Sequence, residues 1–520
     1  YGEVRSDNGY KGGGGVGDLN EVHRMETFDM DATNGFLDSK WYHLYCSVQR
    51  CNSALRVLNA ATDEQVNGRV SRIAEMKVLR AHYYFELSRL FNKIPYFDEN
   101  VEISQYPDIP NNEFTRDEIL SMLAKEMLDA AELLPASQSE VGRIHKYIAL
   151  AYAAKIKLYQ AYQQDEITHA VTSINKELLR EVVSLCDQVT ASNRYGLLDD
   201  FQGLDLVANE NGKESVFAIQ YSMNDGTESA GRINWSNLLN SPGGGSPYGG
   251  DGFFLPSQDL INAYQTDANG LPDFNYQSKS DYSWAVLNNG VYTLQNTTPN
   301  VDPRLDFVVG RPTITWKTYP DKPCEGWVRD KETYGYNCAK RFWVSPESSD
   351  MFNGWPWGAS QLNWQIIRYA DILLWKAEAL IELNEGDGLE TARDLINQIR
   401  NRARNSAYVK DFNDHSKYAA NYLVNPYPAD VWNQDYARQA LRWETRLEKA
   451  LEGERFFDLV RWGIVETTMN KYITAESDNR IYYANAHFTG GKDEYYPVPN
   501  NQYGFSGGKY VQNPGYAPFN

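Results

Sequence analysis

The 520-residue chain predicts a mainly α-helical fold that carries a large irregular lobe of loops and short strands. Apolar residues recur with the 3.6-residue period of helices across 39–191 and again across 363–463. Between these ranges, across 192–362, glycine, proline, asparagine, aspartate and aromatic residues replace that period. A loop-rich tail follows over 464–520. We therefore expect one domain, 1–520, in which stacked helix pairs form a scaffold and 192–362 forms a ligand-binding lobe.

The first helical half begins at Ser39 and shows clear start and stop signals. Apolar residues recur every three or four positions from Trp41 to Leu58. The next helix ends before Pro95, because the residue before a proline disfavours helix. The pattern Thr115-x-x-Glu118 predicts a capping box that opens a third helix. Two further helices are expected over 144–161 and 175–189.

A second helical stretch resumes at Asn363. Apolar stripes from Tyr369 to Leu380 and from Ala392 to Ala403 flank a predicted turn near Asn384 to Gly388. This helix–turn–helix of roughly 34 residues resembles a tetratricopeptide unit. No clean self-repeat recurs elsewhere, so we expect other units to be degenerate.

Residues 1–38 are loop-like, with a glycine run at Gly12 to Gly15 that cannot hold regular structure by itself. Two interpretations remain open for this segment. It is either a flexible end or a loop laid over a binding surface. In the second case its polar side chains would offer hydrogen-bond donors and acceptors to a ligand: Arg5, Asp7, Asn8 and Asp31.

The stretch from Trp443 to Gly463 combines many charges with many apolar residues. Glu444, Glu448 and Glu452 recur every four residues, so a helix would stack them on one face. We predict a helix, a turn near Gly453 and a second short helix, with the charges paired in a partly apolar setting. A catalytic role is the alternative, but no nucleophile lies beside a base here.

This stretch and four others occur in the order found in the SusD/RagB family, which they resemble. The other four are Arg72 to Pro95, Asp302 to Leu305, Arg368 to Ala379, and the tail pair Tyr495 to Pro499 with Gln512 to Tyr516. The resemblance implies a right-handed scaffold of tetratricopeptide-like helix pairs. It also implies a non-enzymatic, surface-exposed glycan-capture lipoprotein of the outer membrane. Such a protein delivers oligosaccharides to a SusC-like TonB-dependent transporter.

The resemblance further implies that a signal peptide and a lipid-bearing cysteine precede Tyr1. Two alternatives stay open: a RagB-like protein that binds peptides and a glycoside hydrolase built on a helical scaffold. No G-x-S-x-G, H-E-x-x-H or P-loop pattern is present, and the seven histidines are isolated in sequence. We therefore expect neither an enzyme nor a bound cofactor or metal.

Composition limits the ligand and the partners. The net charge of −19 argues against nucleic acid and against strongly anionic polysaccharides as ligands. A local basic patch could still attract an anionic ligand despite the negative net charge. We therefore expect a neutral oligosaccharide or polysaccharide. No apolar run of about 18 residues predicts a membrane-spanning helix. Cys324 and Cys338 flank a loop, and whether they form a disulfide is left open.

Aromatic content points to the chemistry of binding. The chain has 13 Trp and 36 Tyr, and a flat ring suits the apolar C–H face of a sugar. Rings in helical stripes are expected in the core, so the candidates lie in the lobe, among them Trp355 and Trp357. From the position of the aromatic platform in the resembled family, we favour Trp284, Tyr292 and Trp316, with Trp235 as a further candidate.

Overall fold

The computed structural model describes residues 1–227, 231–237, 239–283, 285–288, 291–294, 299–317, 319–323 and 326–519. In the strands over 285–288, 291–294 and 319–323 it describes the backbone alone. The helices are α1 Asn20–Glu26, α2 Gly35–Ala60, α3 Arg69–Phe91, α4 Arg116–Leu133, α5 Lys146–Ala161, α6 Lys176–Ala191, α7 Gln258–Ala263, α8 Arg304–Val308, α9 Lys331–Tyr334, α10 Tyr369–Leu383, α11 Gly388–Asn405, α12 Gln434–Glu448, α13 Arg455–Arg461, α14 Val465–Glu476 and α15 Asn500–Phe505.

The strands are short. They are β1 Gly9–Gly12, β2 Tyr162–Gln164, β3 Val171–Ile174, β4 Ser215–Ile219, β5 Phe253–Pro256, β6 Ala285–Asn288, β7 Val291–Leu294, β8 Val309–Gly310, β9 Thr315–Trp316, β10 Tyr319–Pro323, β11 Cys338–Ala339 and β12 Trp364–Arg368. Each pairs antiparallel with one other strand: β1 with β5, β2 with β3, β4 with β12, β6 with β7, β8 with β11 and β9 with β10.

Consecutive helices pack in pairs, as the periodic stripes predict. Helices α2 to α6 each pack on the next, and α10 packs on α6 and α11. Helix α5 is covered on both sides, and small residues such as Ala149 and Ala153 let its neighbours approach closely. The capping box of α4 is confirmed, because Thr115 Oγ1 accepts from Glu118 N while Glu118 Oε2 accepts from Thr115 N. The predicted helical class is therefore confirmed.

The prediction that helices resume at Asn363 is wrong by six residues. Residues 364–368 form β12, which pairs with β4 across residues 215–219. Ile366 and Ile367 favour a strand, and β4 supplies the partner that makes it form. Helix α10 starts only at Tyr369, where Arg368 N donates to Asp371 Oδ2 at 2.8 Å.

The lobe combines irregular loops with short paired strands, as expected. Many of its apolar residues belong to a second buried core. Leu260, Tyr264, Leu305 and Phe307 are buried there and pack with Leu447 at the end of α12. The lobe is thereby joined to the helical scaffold through the charged stretch.

That charged stretch forms the predicted helix, turn and short helix, and its carboxylates are buried and paired. Glu444 pairs with Arg304 at 2.5 Å, and Glu448 pairs with Arg368 at 2.7 Å. The prediction that Glu452 lies on the same helix as Glu444 and Glu448 is wrong, because α12 ends at Glu448 and Glu452 lies in the following turn. It still pairs with Arg368, at 2.9 Å.

The pairings join three of the five stretches that carry the family resemblance. Arg304 comes from the Asp302 stretch, Arg368 opens α10, and both meet carboxylates of α12. Burial alone would raise the pKa of Glu448, but the guanidinium groups around it lower it to about 2. These motifs therefore build the junction between scaffold and lobe.

No helix in the described ranges combines the length and the apolar character needed to cross a bilayer. Cys324 lies outside the described residues, so the question whether it pairs with Cys338 stays open.

Candidate functional site

Three indole rings project from the lobe: Trp235 is 40% exposed, Trp355 64% and Trp357 49%. The ring centroids of Trp235 and Trp355 lie 5.8 Å apart with an interplanar angle of 66°. Trp357 follows Trp355 by two residues in the same loop. We call these three residues the tryptophan cluster. Indoles are usually at least partly covered, so three exposed rings in two joined loops indicate a contact surface.

Backbone hydrogen bonds hold the loop that presents Trp355 and Trp357. Met351 and Ser360 form an antiparallel bridge, and Phe352 N donates to Ala359 O at 2.8 Å. The two tryptophans therefore lie in the turn of a narrow hairpin-like loop.

A second loop carries Trp235 and is fastened to the first. Asn234 N donates to Ser360 O at 2.8 Å, and Asn234 Nδ2 donates to Leu362 O at 2.8 Å. Ser241 Oγ donates to Trp357 O, also at 2.8 Å. These bonds fix the two loops relative to each other, so the backbone that carries the rings is organised before any ligand arrives.

Trp316 is not part of this surface, and its prediction as a platform is wrong. Its ring is fully buried, edge-on to Trp327 at 5.0 Å and to Tyr248 at 5.9 Å. Its Nε1 donates to Tyr248 Oη at 3.0 Å. With its faces covered and its polar atom satisfied, Trp316 belongs to the packing beneath the lobe surface.

The other two favoured rings cannot be placed. Trp284 lies outside the described residues, and Tyr292 lies in β7, where only the backbone is described. Both stay predictions.

The N-terminal residues Arg5, Asp7 and Asn8 are buried, so the interpretation as an exposed ligand loop is wrong for them. Asp7 receives two 2.8 Å hydrogen bonds from Arg455, and Arg446 Nε donates to Asn8 Oδ1 at 2.9 Å. Burial raises the pKa of Asp7, yet Arg446 and Arg455 overcome this and lower it to about 2. Neither a flexible end nor a ligand loop therefore describes residues 5–8.

Arg5 has a structural role of the same kind. Its guanidinium lies 4.0 Å from the ring centroids of both Phe456 and Tyr496. The segment is thus buried against α13 and the C-terminal tail.

Asp31 is the remaining predicted residue of that segment. It accepts a 2.7 Å hydrogen bond from Arg24 and another from Thr33 N. Its carboxylate is 49% exposed, so a ligand could reach it. No contact between Asp31 and the tryptophan cluster appears within the described ranges.

Trp355 and Trp357 were lobe candidates that positional reasoning did not favour. A signal for them exists in the sequence, since Gly354 and Gly358 bracket the Trp-Pro-Trp motif. Glycine on both sides of a proline predicts a tight turn, and a turn projects its side chains outward. Within the described ranges, no three His, Cys, Asp or Glu side chains gather in a group that could hold a metal ion.

Comparison with known proteins decides the family. A family model described as the SusD family matches residues 213–516, more than half of the chain. The chain belongs to the SusD family. A second model, described as starch-binding proteins associating with the outer membrane, matches residues 16–158.

Other members of the SusD family resemble this chain along almost its whole length. The SusD-like protein P2 of Formosa agariphila is 24% identical over 499 residues, which cover 95% of this chain and 83% of that protein. A solved laminarin-binding SusD-like protein superposes with a TM-score of 0.67 at 21% identity, covering 99% of this chain and 93% of that one. Surface glycan-binding protein A of Bacteroides thetaiotaomicron, solved with laminarihexaose, has a TM-score of 0.64 at 18% identity and covers 98% and 92%. These similarities confirm the fold.

Proposed function

We propose that this SusD-family protein captures glycan chains at the outer surface of the cell with the tryptophan cluster. It holds them without cleaving them and passes them to a SusC-like TonB-dependent transporter. Membership of the family supports the class of function. So do two structural neighbours, one a laminarin-binding SusD-like protein and the other solved with laminarihexaose.

The observation that carries the proposal is the exposure of the three indoles of the cluster on fastened loops. A sugar ring presents apolar C–H groups on its faces and hydroxyls at its rim. An indole offers a flat apolar face at little cost in side-chain entropy, with an N–H at its edge. Stacking of this kind gives dissociation constants from micromolar to millimolar, about −8 to −4 kcal/mol.

Replacing Trp355 by alanine is expected to weaken glycan binding by about tenfold, which corresponds to about 1.4 kcal/mol. Trp355 is the most exposed of the three rings, so its loss removes stacking area without opening the core. Calorimetry of the Trp355→Ala variant against a panel of neutral polysaccharides that includes laminarin measures the change.

Tyr42→Ala is the matched control. Tyr42 is 58% exposed on α2, in the helical scaffold rather than the lobe. Its loss is expected to leave binding unchanged. Equal affinities for wild type and the Trp355, Trp357 and Trp235 alanine variants would rule out the cluster as the site.

The proposed transporter partner is tested in the native membrane. Purification of the protein from that membrane in mild detergent is expected to retain a TonB-dependent transporter. Mass spectrometry of the same sample looks for bound peptides, and abundant peptide without glycan would favour the RagB-like alternative.

One observation favours a glycoside hydrolase as a second candidate. Burial and the charge of Asp350 together raise the pKa of Glu210 to about 7, while a hydrogen bond from Asn363 N acts in the opposite direction. A protonated carboxyl beside a second carboxylate is the pairing that glycosidases use. Incubation with polysaccharides that bind should give no new reducing ends. Turnover that Glu210→Gln abolishes would establish the hydrolase instead.

A further inference from the structure

A cleft of about 380 Å³ lies away from the tryptophan cluster and shares no lining residue with it. Helices α12 and α14 form two of its sides, and residues 274–277 form a third. This volume is within the range of small-ligand pockets. Its most notable feature is positive charge in a protein whose net charge is −19.

Arg442 lines this cleft and differs from the other arginines there. Arg438 pairs with Glu382 at 2.7 Å, Arg446 with Asp259 at 2.7 Å and Arg455 with Asp7 at 2.8 Å. Arg442 has no carboxylate within ion-pair distance and no hydrogen-bond acceptor among the described residues. The contact that its guanidinium makes is with the ring of Trp462, whose centroid lies 5.4 Å away.

Arg442 is nonetheless partly withdrawn from water. Burial lowers its pKa below the usual arginine value, while Tyr162, Glu378 and Glu382 act in the opposite direction. Those two carboxylates are already engaged, Glu378 by Arg461 and Glu382 by Arg438. A partly buried cation without its own counter-ion is costly, so an anionic group entering the cleft would find a ready partner.

The walls around Arg442 suit a hydroxylated ligand. Lys471 on α14 adds a second cation, exposed and without an ion-pair partner in the described part of the chain. Thr467, Thr468 and Gln439 contribute hydroxyl and amide groups. Trp443 lines the cleft as a ring, edge-on to Phe274 at 5.1 Å.

We propose that this cleft binds an acidic sugar residue, a hexuronate whose carboxylate pairs with Arg442 and Lys471. The planar guanidinium accepts a carboxylate through two parallel hydrogen bonds, which an ammonium group cannot do. Trp443 then faces the sugar ring, and the threonine and glutamine side chains bond its hydroxyls. The proposal rests on the proposed function only in taking the ligand to be a sugar, and it adds acidic units to the expected neutral ones.

The test is calorimetry of the full chain with glucuronate and galacturonate, and with glucose and galactose as uncharged counterparts. The uronates are expected to bind with millimolar dissociation constants and the neutral sugars not at all at this site. Raising the salt from about 50 mM to about 500 mM is expected to weaken uronate binding, because salt screens partly exposed charges. Binding of glucose 6-sulfate without binding of either uronate would overturn the assignment to a carboxylate.

Variants separate the cleft from general charge effects. Arg442→Gln is expected to weaken uronate binding by about tenfold or more, and Arg442→Lys by less, since charge remains while the bidentate geometry is lost. Lys125→Gln removes one charge from an exposed position on α4 and is expected to change nothing. Equal uronate affinity in Arg442→Gln and wild type overturns the proposal.

The Tm of the ligand-free Arg442→Gln variant gives a second readout. A structural role and a ligand-binding role of Arg442 predict different changes in this Tm. If Arg442 serves mainly to pack on Trp462, Arg442→Gln lowers the Tm and leaves binding intact, which overturns the proposal. If it serves a ligand, the free variant keeps or gains stability and loses the uronate-induced rise in Tm. If Arg442→Gln still binds neutral glycans at the tryptophan cluster, the proposed function is supported whichever result is found for the uronates.

Discussion

At the scale of single residues, pairing separates structural charges from candidate ligand charges. Glu448 is fully buried and meets Arg304, Arg368 and Arg402, so each charge there has a protein partner. Arg442 lies on the same helix, α12, and has no carboxylate partner among the described residues, only the ring of Trp462. Residues six positions apart on one helix therefore have opposite roles, decided by what packs against each face.

Replacing Glu448 by glutamine is expected to lower the free energy of unfolding by about 3–5 kcal/mol. The substitution keeps the shape of the side chain but leaves three buried guanidinium groups with less negative charge. Denaturant unfolding followed by circular dichroism measures the loss.

Glu390→Gln is the control for Glu448→Gln. Glu390 is exposed on α11, and its substitution is expected to change the free energy of unfolding by no more than about 0.5 kcal/mol. Equal stabilities of the two variants would show that the buried network contributes little.

At the scale of elements, the N-terminal segment shows how a partner strand changes the behaviour of a glycine run. The sequence suggests an unstructured run at Gly12 to Gly15, but Gly12 ends β1 and pairs with Phe253 of β5. Its φ is +75°, and a Cβ there would lie 2.6 Å from Gly252 O. Glycine is therefore required at this position for both its backbone angle and its size.

Gly12→Ala is expected to destabilise the protein by about 2 kcal/mol or more, because a left-handed conformation costs an L-residue about 1–2 kcal/mol before any clash is counted. Gly17→Ala is the matched control, since a Cβ at Gly17 meets nothing within 4 Å. Thermal unfolding of both variants distinguishes them. A Gly12→Ala protein as stable as Gly17→Ala would mean that the β1–β5 pairing adds little to stability.

At the scale of the whole molecule, buried ionisable groups set the dependence of stability on pH. The pKa values of Asp7 and Glu448 are lowered to about 2, so each contributes stability above its unfolded value of about 4 and loses it as the pH falls toward 2. Burial raises the pKa values of Glu3 and Glu476 to about 7, so their contribution is lost as the pH rises through 7. Burial lowers the pKa of His82 to about 4, whereas its pKa in the unfolded chain is about 6.5. The neutral imidazole therefore contributes stability fully above about pH 6.5 and loses it as the pH falls toward 4.

We therefore expect a shallow dependence between about pH 4.5 and pH 7, where the raised carboxyls and the buried histidine act in opposite directions. A steep loss should follow below about pH 4, as Asp7 and Glu448 take up protons. Thermal unfolding from about pH 2 to pH 7 measures both parts of this pH dependence. In Glu448→Gln the loss of stability below about pH 4 should be less steep. An unchanged loss would contradict the contribution assigned to Glu448.

The helical scaffold was accessible to sequence analysis because its signals are local. Neighbouring residues of the α2 stripe are three or four positions apart, and Thr115 is three positions from Glu118, so local sequence alone determines both features. The pairing of the charged stretch followed from composition, since so many charges among apolar side chains must neutralise one another. The family followed from five ordered motifs, three of which meet at Glu448.

Sequence by itself thus determined the helical class, the family and the paired nature of the charged stretch. Tertiary structure decided which rings and charges face solvent: it buried Trp316, Asp7 and Asn8 and exposed the tryptophan cluster. It also left Arg442 without a carboxylate partner among the residues that the structure describes. The physical reason is that exposure depends on what distant segments cover. Tyr248 covers Trp316 from 68 residues away and Arg446 reaches Asn8 from 438, and no local pattern records such contacts.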